Sequence, residues 1–262
     1  MIIDFHTHAY PDKVAQKALN NLQQNYGVIF YTNGTYGALR ESMKEAGIDI
    51  SVVLPIASRL GNNPSLNNNA KAICSEDLIS FGSVFPEEPE VFKQIDYAWE
   101  LGLKGLKFHP DFQEFYFSDK HIIDVISYAL DKGFIVTVHV GIDPALRDLV
   151  YSTPQMVKHL VDKVNSEKLV LAHLGGHLYW DEVLEYIAGS NCYLDTALVT
   201  GAINPQKLKK IMDKHGYDRI LYGSDSPYGS QKISVDTITG LKLLEDNIDK
   251  IMYKNALKLL GL

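Results

Sequence analysis

The chain carries only two cysteines, Cys74 and Cys192, in 262 residues. They have no CxxC spacing and do not form the pattern of a disulfide framework. Both are expected as buried, reduced thiols, Cys74 in a helix-like stretch and Cys192 in the strand-like NCYLDTAL. Positive charge is also short: 25 Lys and Arg stand against 32 Asp and Glu, for a net charge of −7. A protein that tracks phosphates wants a basic stripe, so this balance argues against nucleic acid. No apolar run approaches membrane-spanning length. MIIDFHTH lacks the basic and apolar regions of a signal peptide, so the cytoplasm is the expected compartment. Neither GxGxxG nor GxxxxGK occurs, and no Pro-, Gly- or Ser-rich linker divides the chain. The expected partner is a small-molecule substrate rather than nucleic acid or membrane, with a homodimer left open.

What is present is an alternation. Short β-branched runs (IIDFHTH, ISVVLPI, ISFGSVFP, KGLKFHP, FIVTVHVG, LVLAHLGG, CYLDTAL and ILYGSDSP) alternate with helix-periodic segments. In PEVFKQIDYAWELG, Val91, Ile95 and Ala98 recur at helical spacing; in DKHIIDVISYALDKG, Asp119 and Gly133 fit start and stop signals. Runs such as IVTVHV are apolar on both faces, as in a parallel sheet buried under helices. Eight strand–helix units over residues 1–262 fit a single (β/α)8 barrel, with a doubly wound open sheet as the weaker alternative. The tail NIDKIMYKNALKLLGL is expected to be helical and to pack beneath the barrel wall. Residues 9–34, with Tyr10, Tyr26, Phe30 and Tyr31, and the loop FQEFYFSD are each either a lid over the barrel mouth or a packed loop.

Polar residues fall at the ends of these strands: His6 and His8, Lys107 and His109, His139, His173 and Asp225. In a barrel, all such C-terminal ends converge on one mouth. Residues two apart in a strand face the same side, so His6 and His8 can reach one point. Alone they are a metal pair or a wet strand end; with His139, His173 and Asp225 they point to a divalent metal. Imidazoles plus a carboxylate suit Zn2+, with Mn2+ or Fe2+ as alternatives. His173 is a ligand or an acid/base, and Asp225 a ligand and base. Lys107 is a carbamylated bridge between two metals, an ammonium that grips a carboxylate, or a structural lysine. His109 is a candidate substrate contact. Asp195 either orients a ligand histidine or caps a loop, and His177 and Trp180 line the mouth or pack a helix start. His121, His159 and His215 fall on helix-like segments and are expected to face solvent.

DFHTH, GLKFHP, VHVG, AHLGG and YGSDSP, in this order at the strand ends, resemble the amidohydrolase superfamily. The closer likeness is to its amidohydrolase-2 branch, which includes the aminocarboxymuconate-semialdehyde decarboxylase-like enzymes. The likeness extends through the closing NALKLLGL. It implies a distorted (β/α)8 barrel holding one or two divalent ions, usually zinc. A single ion would be held by His6, His8, His139 and Asp225, with His173 positioning or protonating water or substrate. Two ions would be split between His6, His8 and Asp225 on one side and His139 and His173 on the other, bridged near Lys107. Two departures from the family are expected: the chain starts directly at strand one, without the small β-sandwich of many hydrolytic members, and it is short beside the characterised decarboxylases, without room for their larger insertions. Substrate-binding arginines are therefore not carried over; Arg40, Arg59 and Arg147 are candidates by loop position, as is Tyr228 just after YGSDSP. GLKFHP also lacks the strand-four Glu of the TatD-like nucleases.

The expected activity is hydrolysis of a lactone, ester or amide, with metal-bound hydroxide as nucleophile and Asp225 as general base. The alternative is non-oxidative decarboxylation, with Lys107 or His109 gripping a carboxylated aromatic or enol. A metal-binding barrel without turnover is the third option.

Overall fold

Strand β1 (Ile3–Thr7) is buried at every residue. It pairs in parallel with β2 (Ile50–Val53), which pairs with β3 (Leu78–Ser80). A second parallel sheet runs in order through β4 (Gly82–Ser83), β5 (Gly105–Phe108), β6 (Ile135–Val138), β7 (Leu169–Leu171), β8 (Tyr193–Asp195) and β9 (Ile220–Leu221). Phe81 alone separates β3 from β4. At the other seam, Phe5 N–H donates to Tyr222 O, Asp225 N–H to His6 O and His8 N–H to Ser226 O, at 2.6–2.8 Å. The two sheets thus run into one ring of eight strand positions, the expected barrel. The structure is a computed structural model and describes residues 1–61, 63–146 and 149–262; Arg147 and the Tyr26 side chain lie outside the described residues.

Inside the ring, Ile3, Phe5, Val52, Leu54, Phe81, Ile135, Val170, Tyr193 and Leu221 form an apolar floor. Gly105 faces the same interior, where an added Cβ would come within 2.3 Å of the Phe81 ring. Only glycine leaves Phe81 room there. Two residues further up the same strands stand Thr137, Asp195 and Lys107, all fully or almost fully buried. The change from apolar floor to polar upper layer happens within one turn of alternation.

In β1 that change depends on a bulge. Asp4 pairs with Ser51 but Thr7 pairs with Val53, so β1 holds one residue more than β2 in this interval. The extra residue resets the alternation. Ile3 and Phe5 point to the floor, and His6 and His8 then point inward as well.

The helices cover the outside. They are α1 (Asp12–Tyr26), α2 (Tyr36–Ala46), α3 (Asn63–Ile73), α4 (Val91–Glu100), α5 (Pro110–Gln113) and α6 (Lys120–Lys132). After these come α7 (Pro154–Val164), α8 (Trp180–Glu182), α9 (Pro205–His215), α10 (Gln231–Thr239), α11 (Glu245–Asp249) and α12 (Asn255–Leu260). Val91, Ile95 and Ala98 of α4 are buried as their spacing predicts, and α6 ends at Gly133 in the left-handed conformation. The tail is helical through α11, one wide turn and α12, and Ala256 and Leu260 close the floor of the barrel.

Three expectations are corrected. Residues 12–26 are a helix rather than loop; Ala15, Leu19 and Leu22 at helical spacing before Gly27 were the signal. Cys74 is exposed, one residue past the end of α3, whereas Cys192 is buried as expected. His215 is buried, because its ring ties the end of α9 to the loop before β8: Nε2–H donates to Cys192 O and Nδ1 accepts from Gly189 N–H. His159 is exposed as predicted, and His121 is half-buried with Nε2 3.0 Å from Pro86 O.

Candidate metal centre

Three side-chain atoms meet at the barrel mouth. Asp225 Oδ1 lies 3.1 Å from His6 Nε2 and 3.2 Å from His8 Nε2, and the two nitrogens are 3.3 Å apart. A tetrahedral ion with bonds of about 2.0–2.1 Å keeps its ligand atoms roughly 3.3–3.4 Å from one another. The triangle therefore has the size of one face of a metal's coordination shell. Asp225 reaches this place through a left-handed backbone (φ 65°), which aspartate tolerates better than most residues.

The neighbours fix which nitrogen carries a lone pair. His6 Nδ1–H donates to Asp195 Oδ2 at 2.7 Å, leaving Nε2 as the lone-pair atom. The other carboxylate oxygen, Oδ1, accepts from the His173 and Ala197 N–H groups at 2.9 and 3.0 Å. Asp195 thus does both jobs open to it: it orients a histidine and ties down a loop. A carbonyl can only accept, so His173 Nδ1–H donates to Ala197 O at 3.2 Å. His173 Nε2 then accepts from His139 Nδ1–H at 2.9 Å. This leaves His139 Nε2 with a free lone pair, buried and without a hydrogen-bond partner. Burial holds His6, His139, His173 and His109 well below the usual imidazole range, so all four are neutral, the form that binds a metal.

Two more groups of this kind occur among the described residues, His6–His173–Asp195 and His109–His139–Asp143. In the first, Asp195 is already committed to hydrogen bonds. In the second, the His109 and His139 rings stack 4.0 Å apart and 15° from parallel, so both cannot aim in-plane lone pairs at one ion. The residues that fit a metal are His6, His8 and Asp225, with His139 Nε2 the additional free nitrogen.

Lys107 is completely buried, its Nζ 3.3 Å from His6 Nε2, and has no ion pair among the described residues. Burial pulls its pKa down to about 8. His109 Nε2 lies 3.3 Å from Asp143 Oδ2, while Asp143 Oδ1 accepts from Ala145 N–H at 2.7 Å. The sequence reading did not single out Asp143 or Asp111, whose Oδ2 is 3.5 Å from His139 Nε2. Their signal was an acidic residue two to four positions past a strand-end histidine, in HPD and HVGID.

The amidohydrolase-2 family model, described as amidohydrolase, matches residues 3–262. The chain belongs to this family. No curated protein matches it in sequence. Its fold is similar to that of an uncharacterised TIM-barrel protein from Bordetella bronchiseptica, at 18% identity and TM-score 0.78, covering 99% of this chain and 98% of the other. It is also similar to 5-carboxyvanillate decarboxylase from Novosphingobium aromaticivorans with bound manganese, at 16% identity and TM-score 0.70, covering 100% and 97%. A third similar structure is a protein from Pseudomonas putida provisionally described as 2-pyrone-4,6-dicarboxylic acid hydrolase, at 15% identity and TM-score 0.69, covering 99% and 97%.

In this amidohydrolase barrel the metal-sized triangle opens into a cleft of about 260 Å3. Lys107, His109, Asp143 and His173 also border it, and its walls are apolar: Leu22, Val28, Ile29, Ile56, Phe112 and Leu198 among them. The first connection therefore lines the cleft, through Leu22, Gly27, Val28, Ile29 and Tyr31. The aromatic loop after β5 contributes only Phe112, because Phe115 and Phe117 are in the core. Tyr228 lines the cleft, with its hydroxyl 2.9 Å from that of Tyr10 and its ring against His8. His177 does not line it; its ring packs edge-on against Trp180. Arg40 is engaged with Asp77 at 2.7 Å and Arg59 is exposed; neither borders the cleft. No helix among the described residues is long and apolar enough to cross a membrane.

Proposed function

We propose that the protein is a metal-dependent decarboxylase of a small, planar, carboxylated substrate. The observation that carries this reading is Lys107: a buried ammonium with no carboxylate in ion-pair contact among the described residues, although Asp195, Asp225 and Asp143 act on it from further away, bordering a cleft whose walls are otherwise mainly apolar. An unpaired buried cation is costly, and a substrate carboxylate would offset that cost. The named activities of two similar folds, on a carboxyvanillate and on a pyrone dicarboxylate, agree with a carboxylated ring.

His6, His8 and Asp225 would hold the divalent metal, zinc being the best match for this ligand set, with His139 Nε2 as a further ligand. When bound, the metal supplies an electrophile that draws a substrate oxygen and balances developing negative charge. Lys107 Nζ receives the substrate carboxylate. Phe112 and Tyr228 border the ring, and the apolar walls exclude water. The bond between the ring carbon and the carboxyl carbon breaks, CO2 leaves, and the electron pair stays on the ring carbon. That carbon takes up a proton that Asp225 has first drawn from solvent, so the carboxylate ends as it began.

Hydrolysis of a C–O or C–N bond is the second reading. It is favoured by the position of Asp225 beside two imidazole nitrogens, where a carboxylate can take the proton of an attacking water. The experiment is a paired screen of the metal-loaded protein: CO2 release from carboxylated aromatics and enols, and acid release from lactones, esters and amides. Activity in the first arm is expected. Activity confined to the second overturns decarboxylation in favour of hydrolysis. Silence in both, with stoichiometric metal, favours a barrel without turnover.

A further inference from the structure

Behind the metal-sized triangle, outside the barrel wall, lies a carboxylate with no cation beside it. Asp4 is fully buried and takes part in no ion pair among the described residues. Its Oδ1 accepts from Ser224 N–H at 2.9 Å and His6 N–H at 3.3 Å. Its Oδ2 accepts from Ser224 Oγ–H at 2.6 Å and Gln231 Nε2 at 2.8 Å. A carboxylate offers about four acceptor sites, and all four donors aim at this one. Ser224 Oγ in turn accepts from Ser226 N–H at 3.0 Å.

These bonds join the two segments that carry the triangle. Asp4 begins the bulge that turns His6 inward, and Ser224 immediately precedes Asp225. Asp225 N–H to His6 O and His8 N–H to Ser226 O zip the same segments together in front. Asp4 clamps them from behind, and Gln231 anchors the clamp to α10.

We infer that Asp4 is the positioning residue that sets metal affinity, by holding His6 and Asp225 at the separation a single ion requires. This inference rests on the proposed metal site. The residue touches neither metal nor substrate. It acts through the backbone of β1 and of the turn after β9. Asparagine has nearly the same shape but replaces one acceptor oxygen with an NH2 that faces donors, so Asp4→Asn opens the clamp with little change in volume.

The test measures dissociation constants for Zn2+ and Mn2+ by chelator competition, with the thermal midpoint of each protein with and without metal. Wild type is compared with Asp4→Asn, Ser224→Ala and His6→Ala. The expected result for Asp4→Asn is a folded protein that binds metal about 10–100-fold more weakly, the usual cost of losing an outer partner of a metal ligand. The metal-induced rise in its thermal midpoint shrinks accordingly. A lower apo midpoint with unchanged metal affinity shows a merely structural role and overturns the inference. If Asp4→Asn does not fold, Ser224→Ala carries the test: weaker binding supports the clamp and wild-type affinity overturns it. His6→Ala separates the two claims. If it binds metal like wild type, the metal site itself is wrong; if it loses metal while Asp4→Asn does not, only the clamp fails.

Discussion

His6 Nδ1 and Asp195 Oδ2 are 2.7 Å apart, and both side chains are completely buried. The pair spans the barrel from its first strand to β8, 189 positions along the chain. It decides which imidazole nitrogen faces the mouth. Without the acceptor, His6 can place its proton on Nε2, where a metal needs a lone pair.

Asp195→Asn tests that relation. Its amide oxygen can still accept from the His173 and Ala197 N–H groups, but its NH2 then faces His6 Nδ1 as a donor, in a place built for an acceptor. Metal affinity is expected to fall about 10–100-fold, while the far-UV circular dichroism remains that of the wild type. Chelator competition measures the first and spectroscopy the second. Wild-type affinity would show that His6 needs no such orientation.

Lys107→Met separates substrate binding from metal binding. If the ammonium grips a carboxylate, the variant keeps its metal, and KM for the carboxylated substrate rises about 10–100-fold, the cost of a charge-assisted hydrogen bond. Steady-state kinetics and elemental analysis read the two effects. Loss of metal from this variant would instead identify Lys107 as part of the metal site, in the bridging role.

The strand ends made most of this site legible. Apolar runs closing on His6, His8, Lys107, His109, His139, His173 and Asp225 show both the barrel and its chemically armed face. The β1 bulge was not legible, since a bulge is a relation between two strands and leaves no mark in the spacing of one. The role of Asp195 stayed open for the same reason: its partner His6 is remote in sequence. His215 was misplaced because its segment is helix-periodic; only the remote loop before β8 that it holds, at Gly189 and Cys192, reveals why its ring is inside.

The buried ring of His215 predicts a pH dependence of stability. Burial pushes its pKa down to about 4, against about 6.5 for an unfolded histidine. Above pH 7 both states are neutral and the group contributes no slope. As pH falls from about 6.5 to about 4, the unfolded chain takes up the proton first, so stability declines by up to ~3 kcal/mol. Urea unfolding of wild type and His215→Gln at pH 7.5 and 5 checks this. The loss on acidification should be smaller in the variant; equal losses would remove His215 as a contributor.

Gly105→Ala tests the packing of the barrel floor. Its new methyl would lie 2.3 Å from the Phe81 ring, which is enclosed by the apolar interior and has little space to retreat. Overpacking of this kind costs about 1–3 kcal/mol. Thermal unfolding should show a midpoint several degrees lower, and an unchanged midpoint would mean that Phe81 has room to move.

The most direct measurement is the metal content of protein purified without chelator, compared between wild type and His6→Ala. The geometry of His6, His8 and Asp225 predicts stoichiometric divalent metal in the wild type and its loss from the folded variant. Equal metal content in the two proteins would contradict it.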